Sequence, residues 1–447
     1  MVKVLRGTRI SKINPIQKSL SRLIIATVTV TSFTSLYAQK LNLKDFEQKA
    51  ISQSKKVQLS DQTNKLYQIK NRQKYGKLIP SLSFDQSYAR KDPEPAAGPS
   101  NPVTSSSLSL SLKVQDPWNF ANEGRQVDLI GEKSRLERQV YQNETLDSVR
   151  ARFYRILFFQ EQMKLKTEFL TILERVHQET KRRYESGLTH LLDFQKSGLA
   201  RDQAIRNKQM IESQLKTELR SFQLYVSGET NETLPDVEGT IIPDLQAVDQ
   251  ILKTGFFDHF KADSTPSILL QKTAVSSTLL AEEQSKLHMI PDLTLRVEKP
   301  VDHHASDGIT YKAGLSWALF NGGRDYYSWR EKKTEHEKQS LIFEDQKTQW
   351  KIKFEELKST LVQDIEELKS QTSAVKTWED MIALSTRRYS SGLTGYLELS
   401  NDLEKYTQQK ESLTGQQGKF WKNLSAFTSH VGDPDSFYQF IASDRKN

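Results

Sequence analysis

Four short segments of the chain alternate strictly between apolar and polar positions. The first two are Leu82, Phe84 and Tyr88 against Ser81, Ser83, Asp85 and Ser87, then Leu108, Leu110, Leu112 and Val114 against Ser109, Ser111 and Lys113. The other two are Leu293, Leu295 and Val297 against Thr294, Arg296 and Glu298, then Ile309, Tyr311, Ala313, Leu315 and Trp317 against Thr310, Lys312, Gly314 and Ser316. Period-two alternation predicts β-strands with one apolar and one polar face, placed at about 80–91, 105–115, 291–299 and 309–319. Turn-rich loops at 92–102 and 299–308 separate the members of each pair. Elsewhere the pattern is helical. Stretches over 41–78 and 244–289 lead up to Pro80 and Pro291, and long proline-free stretches follow the strands over 121–182 and 324–388. At 1.5 Å per residue each long helix reaches about 90 Å, too long to be buried in a compact domain. In the second, Phe354, Leu361, Leu368, Val375 and Ile382 recur every seven residues, with Leu357 and Trp378 at the complementary positions and Asp364 and Gln371 interrupting. That spacing predicts a coiled-coil seam.

The chain also repeats itself. Arg182-Arg183-Tyr184-Glu185-Ser186-Gly187-Leu188-Thr189 recurs as Arg387-Arg388-Tyr389-Ser390-Ser391-Gly392-Leu393-Thr394, and Ile79-Pro80-Ser81-Leu82 is echoed by Ile290-Pro291-Asp292-Leu293. Gly124-Arg125 corresponds to Gly323-Arg324. Three anchors in the same order, about 200 residues apart, describe a duplicated half rather than a solenoid. Gly187 and Gly392 fall where a helix stops and the chain reverses, with returning helices at 190–227 and 395–430.

Composition narrows the chemistry. The chain has 447 residues, no cysteine and 27% charged residues, which removes disulfides, thiolate metal sites and cysteine nucleophiles. Its mean hydropathy is -0.63, and no apolar run is long enough for a membrane-spanning helix. Of the net charge of +8, six cations (Lys3, Arg6, Arg9, Lys12, Lys18 and Arg22) lie in residues 1–38, which hold no acid. Setting them aside leaves 58 Lys and Arg against 56 Asp and Glu, so the overall charge gives no indication of nucleic-acid binding. These cations precede the apolar stretch Leu23–Phe33 and then Ser35-Leu36-Tyr37-Ala38, the layout of a secretory signal peptide over residues 1–38.

Catalytic motifs are missing. There is no Gly-x-Ser-x-Gly, His-Glu-x-x-His or phosphate-cradling glycine loop. His303-His304 sits in a turn-rich loop without further ligands, and Glu282-Glu283 and Glu366-Glu367 are helix neighbours that face different ways. No enzyme activity, cofactor or metal is expected. A strand of about ten residues with one apolar face fits an outer-membrane barrel, with Tyr311 and Trp317 as interface aromatics. Four strands cannot close such a barrel, because an open sheet edge cannot sit in lipid. Several chains must share one. A soluble sandwich of two hairpins is the bland alternative, and a soluble periplasmic coiled-coil adaptor or scaffold is the rival function.

Taken in order, Pro80-Ser81-Leu82-Ser83-Phe84, Leu319-Phe320-Asn321-Gly322-Gly323-Arg324 and the two Arg-Tyr-x-x-Gly-Leu-Thr turns resemble the outer-membrane efflux protein family, the TolC-like channel-tunnels. The first copy of the strand-to-helix joint, Trp118 to Arg125, departs from that pattern. The resemblance covers the whole mature chain and implies a mainly α fold with a β-barrel part. Each duplicated half would hold a helix, a strand hairpin and a long helical hairpin. The halves would be residues 39–228 (hairpin 121–227) and 244–430 (hairpin 323–430), with an equatorial linker at 229–243 and an equatorial tail at 431–447. It further implies a homotrimer forming a 12-stranded outer-membrane barrel above a periplasmic α-helical barrel. Its partners would be outer-membrane lipid, a periplasmic adaptor and an inner-membrane pump, with no nucleic acid. The implied function is passive export of small molecules or proteins through an efflux or type I secretion assembly. The tip turns would be Gly187 and Gly392, with Tyr184 beside the first. The resemblance pairs Asp193 with Tyr389 at the gate and places a family acidic ring on Glu398. The ring's second position falls on Asn401, and a family arginine tie falls on Thr394.

Overall fold

The strands form one antiparallel sheet. β1 (Ser81–Ala89), β2 (Val103–Val114), β3 (Asp292–Pro300) and β4 (Thr310–Ser316) pair in the order β1-β2-β3-β4. The computed structural model describes residues 42–76, 79–89, 103–114, 117–228, 234–253, 255–287, 291–300, 308–316 and 321–441. The expected signal peptide, most of both inter-strand loops, His303-His304, Trp317 and residues 229–233 and 442–447 lie outside them.

Register brings the two kinds of alternating position together. Leu82 faces Leu110 and Phe84 faces Leu108, Leu110 faces Val297, and Leu293 and Val297 face Leu315 and Tyr311. One side of the sheet is therefore continuously apolar, yet it is exposed: Leu82 at 66%, Tyr311 at 75% and Leu315 at 70%. The other side is a polar ladder. Ser83 and Ser109 hydroxyls lie 2.7 Å apart, Arg296 donates to Ser109 Oγ at 3.2 Å, and Lys312 Nζ donates to Glu298 at 2.8 Å. A soluble sheet would bury the first side and expose the second. Here Ser109 is 1% exposed and its apolar neighbour Leu110 43%.

The helices run through the rest of the described chain. α1 (Leu43–Gln53) and α2 (Lys55–Gly76) precede the first hairpin of strands, and α3 (Pro117–Glu185, 69 residues) and α4 (Leu191–Ser227) follow it. α5 (Leu245–Lys253) and α6 (Pro266–Leu287) precede β3, and α7 (Arg324–Ser390, 67 residues) and α8 (Tyr396–Val431) follow β4. Two stretches expected as single helices are broken. The first breaks at Ser54, whose ψ of 116° leaves the helical region. The second breaks where Gly255 takes φ +76° and Thr265 stands extended before Pro266, as the residue before a proline must. Two 3-10 turns, Phe256–His259 and Ala262–Ser264, fill that gap.

α3 packs between its hairpin partner α4 and α8, and α8 packs on α7, giving a helical layer in the order α4-α3-α8-α7. On α7 the seam residues Phe354, Leu361, Leu368 and Val375 are buried. Asp364 is buried in the same seam and accepts from Gln416 Nε2 and Asn423 Nδ2, both at 2.7 Å. Buried carboxylates need such donors, and these two fix the register of α7 against α8. At mid-height α1, residues 234–243 and a 3-10 turn, Pro434–Gln439, form a belt on the layer. Its core is aromatic: Phe46 meets Phe222 edge-on and Phe153 at a tilt, and Trp421 stacks on Tyr154 at 4.4 Å while its Nε1 donates to the Ile241 carbonyl at 2.7 Å.

Candidate functional site

The helical hairpins turn around at Gly187 and Gly392, both left-handed at φ +69° and +79°. In the first turn Leu188 N–H donates to the Arg183 carbonyl and Gly187 N–H to that of Tyr184; in the second Leu393 and Gly392 do the same to Arg388 and Tyr389. Both are Schellman caps, and any side chain at the two glycines would be strained. Leu188 and Leu393, 78% and 73% exposed, project from the tips.

Below the caps the two hairpins are joined. Tyr389 is 4% exposed, and its hydroxyl lies 2.6 Å from Thr180 Oγ1. Thr180 gives its own hydrogen to the Val176 carbonyl at 2.7 Å, so Tyr389 is the donor. Burial pushes the Tyr389 phenol above its usual pKa, with the Thr180 bond and Arg183 opposing, which keeps it a donor at neutral pH. Arg183 reaches across from α3: its Nη2 donates to the Tyr389 and Ser390 carbonyls at 2.6 and 2.9 Å, and its guanidinium lies 4.7 Å from the Tyr389 ring centroid. Those carbonyls end α7, where the helix dipole favours a cation.

The residues picked from sequence distribute unevenly around this clasp. Asp193 accepts from Thr189 Oγ1 at 2.9 Å, and no hydrogen bond between Asp193 and Tyr389 forms within the protomer among the described residues. Glu398 takes the helix position equivalent to Asp193, is exposed, and stands 3.7 Å from Arg388. Asn401 is exposed and Thr394 half-buried. Tyr184 stacks on Phe194 at 5.5 Å, which in turn stacks on His177 at 5.2 Å. Thr180 bears no sequence signal of this role, and Arg183 belongs to the repeated turn without anything that marks its contact with α7. Arg183 and Arg388 occupy matching places in the repeat but do different work, the one closing the other hairpin and the other facing Glu398. Among the described residues no group of three His, Asp or Glu could hold a metal ion, and no helix is long and apolar enough to cross a membrane.

No protein-family model matches the chain, and no curated protein sequence does. Solved structures do. CusC, described in connection with folding and transmembrane channel formation, superposes with a TM-score of 0.74 at 11% identity, over 91% of this chain and 96% of its own. The outer membrane protein VceC of Vibrio cholerae gives 0.72 at 13% identity over 88% and 96%. The open state of the MtrE outer membrane channel of Neisseria gonorrhoeae gives 0.70 at 13% identity over 90% and 94%. The class defined by these likenesses is the TolC-like outer-membrane efflux channel, and this chain has its fold.

Proposed function

We propose that the chain is one protomer of a trimeric outer-membrane channel-tunnel that passively exports small molecules or proteins from a periplasm-spanning efflux or type I secretion assembly. The observation that carries this reading is the sheet. One side is apolar though exposed and the other carries the polar ladder, as for strands between lipid and a watery lumen, and β1, β2 and β3, of nine, twelve and nine residues, are long enough to cross a bilayer. β1 and β4 leave two free edges, which lipid does not tolerate. Three copies joined β1 to β4 remove every edge and make twelve strands. A soluble adaptor would have to leave the Leu82, Tyr311 and Leu315 face in water, so that rival reading is disfavoured.

In this account the chain carries a signal peptide over residues 1–38, the belt is the equatorial region, and the hairpin tips are the periplasmic entrance. The Thr180-Tyr389-Arg183 clasp holds each protomer's hairpins together, Asp193 and Thr394 lie at the same constriction, and Glu398 forms an acidic ring with Asn401 beside it. Adaptor and inner-membrane pump are the partners, and no chemical step is catalysed. The test is fractionation. The mature protein runs from the outer membrane as a heat-sensitive trimer; recovery as a soluble monomer after gentle lysis contradicts the reading.

A further inference from the structure

At the level of the belt the helical layer has two faces. One is covered: Phe153 and Leu157 of α3 pack under the belt, and Gln160 Nε2 donates to the Val237 carbonyl at 3.1 Å. The other carries an open groove of 570 Å³ between α3, α4 and α8. Ser148, Arg152 and Arg155 line it from α3; spaced by four and three residues, they share a helix face turned away from Phe153 and Leu157.

The groove is cationic. Arg152, Arg155, Lys419 and Lys422 line it against two acids, Asp147 and Glu218. Both acids are occupied. Glu218 accepts from Arg155 at 2.8 Å, and Asp147 accepts from Ser425 Oγ at 2.7 Å, while burial holds its pKa above the usual carboxylate value. Arg152 lies over the Tyr225 ring at 4.8 Å and donates to Ser221 Oγ at 3.2 Å. Lys419 and Lys422 are exposed, and the Lys422 charge is felt at Asp147, where it favours the carboxylate.

We propose that this groove is a cationic collar on the inner wall of the channel that binds multivalent anions, so that the exported cargo carries phosphate, sulfate or several carboxylate groups. The inference rests on the channel reading: a conduit with the belt inside would be plugged, so the covered face is the outer wall and the groove faces the lumen. Three grooves around one axis then ring the passage with more cations than anions, where low-dielectric walls strengthen their field. The planar Arg152 fork and two mobile ammonium groups suit an oxyanion of variable shape.

The probe is inorganic pyrophosphate, used on detergent-purified full-length protein by calorimetry and on reconstituted channels in planar bilayers. Wild-type protein binds it, and it reversibly reduces channel current. K419Q/K422Q removes two exposed charges without opening the core. It weakens binding and block about tenfold and shifts ion preference toward cations. Equal binding and block in both proteins overturns the collar and leaves the channel standing. Lysine-dependent binding by a protein that never conducts overturns the lumen placement together with the channel reading.

Discussion

Lysine in place of Leu110 or Leu315 abolishes recovery of assembled trimer from the outer membrane. Both leucines belong to the exposed apolar side of the sheet, Leu110 opposite Val297 and Leu315 opposite Leu293. At Leu110, well inside β2, a lysine on the lipid side costs roughly 2–4 kcal/mol; Leu315 stands one residue from the end of β4, where the cost per lysine is smaller, and three copies in one barrel multiply both. Ser316 faces the other way and is exposed, so Ser316→Lys is tolerated. Ser109 shares that polar side and from sequence alone would serve equally as a control. It does not, because it is buried and hydrogen-bonded to Ser83 and Arg296, and a lysine there would meet the guanidinium. The yield of heat-sensitive trimer in outer-membrane fractions checks this. Equal yields of Leu110→Lys and Ser316→Lys would show that lipid does not meet the apolar face.

Arg150→Met produces the second large effect, a loss of thermal stability in the solubilised protein. Arg150 on α3 is 2% exposed, and its Nε donates to Glu47 of α1 at 2.6 Å. Its guanidinium lies 4.2 Å from the Phe437 ring centroid, and the Tyr438 hydroxyl donates to the other oxygen of Glu47. One ion pair thereby joins α1, α3 and the C-terminal turn. A buried pair is not by itself a net gain, but removing one partner strands the other charge, at about 3–5 kcal/mol. Methionine keeps the volume and leaves the Glu47 carboxylate with Tyr438 alone. Adding Glu47→Leu recovers most of the loss, since no charge remains to be stranded. Calorimetric melting of the three proteins decides it, and a double variant as unstable as the single one would mean that Arg150 acts through packing.

What the sequence disclosed was local. Period-two spacing located four strands and sorted Leu110 from Ser109, and the glycine of each Arg-Tyr-x-x-Gly-Leu-Thr repeat located the hairpin turns. The heptad spacing of Phe354, Leu361, Leu368 and Val375 located a buried seam. Contacts between distant residues were not legible. Glu47 and Arg150 are separated by 103 residues and Thr180 and Tyr389 by 209, and nothing in a single chain marks such pairs. The resemblance pointed Tyr389 at Asp193, whereas within this protomer its hydroxyl is taken by Thr180. Arg183 and Arg388 have the same local sequence, so only packing could separate their roles. The break at Ser54 carried no glycine or proline to announce it, while Gly255 and Pro266 did announce the second break.

The central claim, a passage closed at its hairpin tips, is tested most directly by planar-bilayer recording of purified wild-type protein beside Arg183→Ala. Arginine supplies two hydrogen bonds to the last carbonyls of α7 and a face to the Tyr389 ring, and hydrogen bonds of charged groups contribute about 1.5–3 kcal/mol. Wild-type protein conducts with rare openings, and Arg183→Ala raises the open probability at least about tenfold. Absence of conductance from both proteins, or equal open probability in the two, would contradict the account.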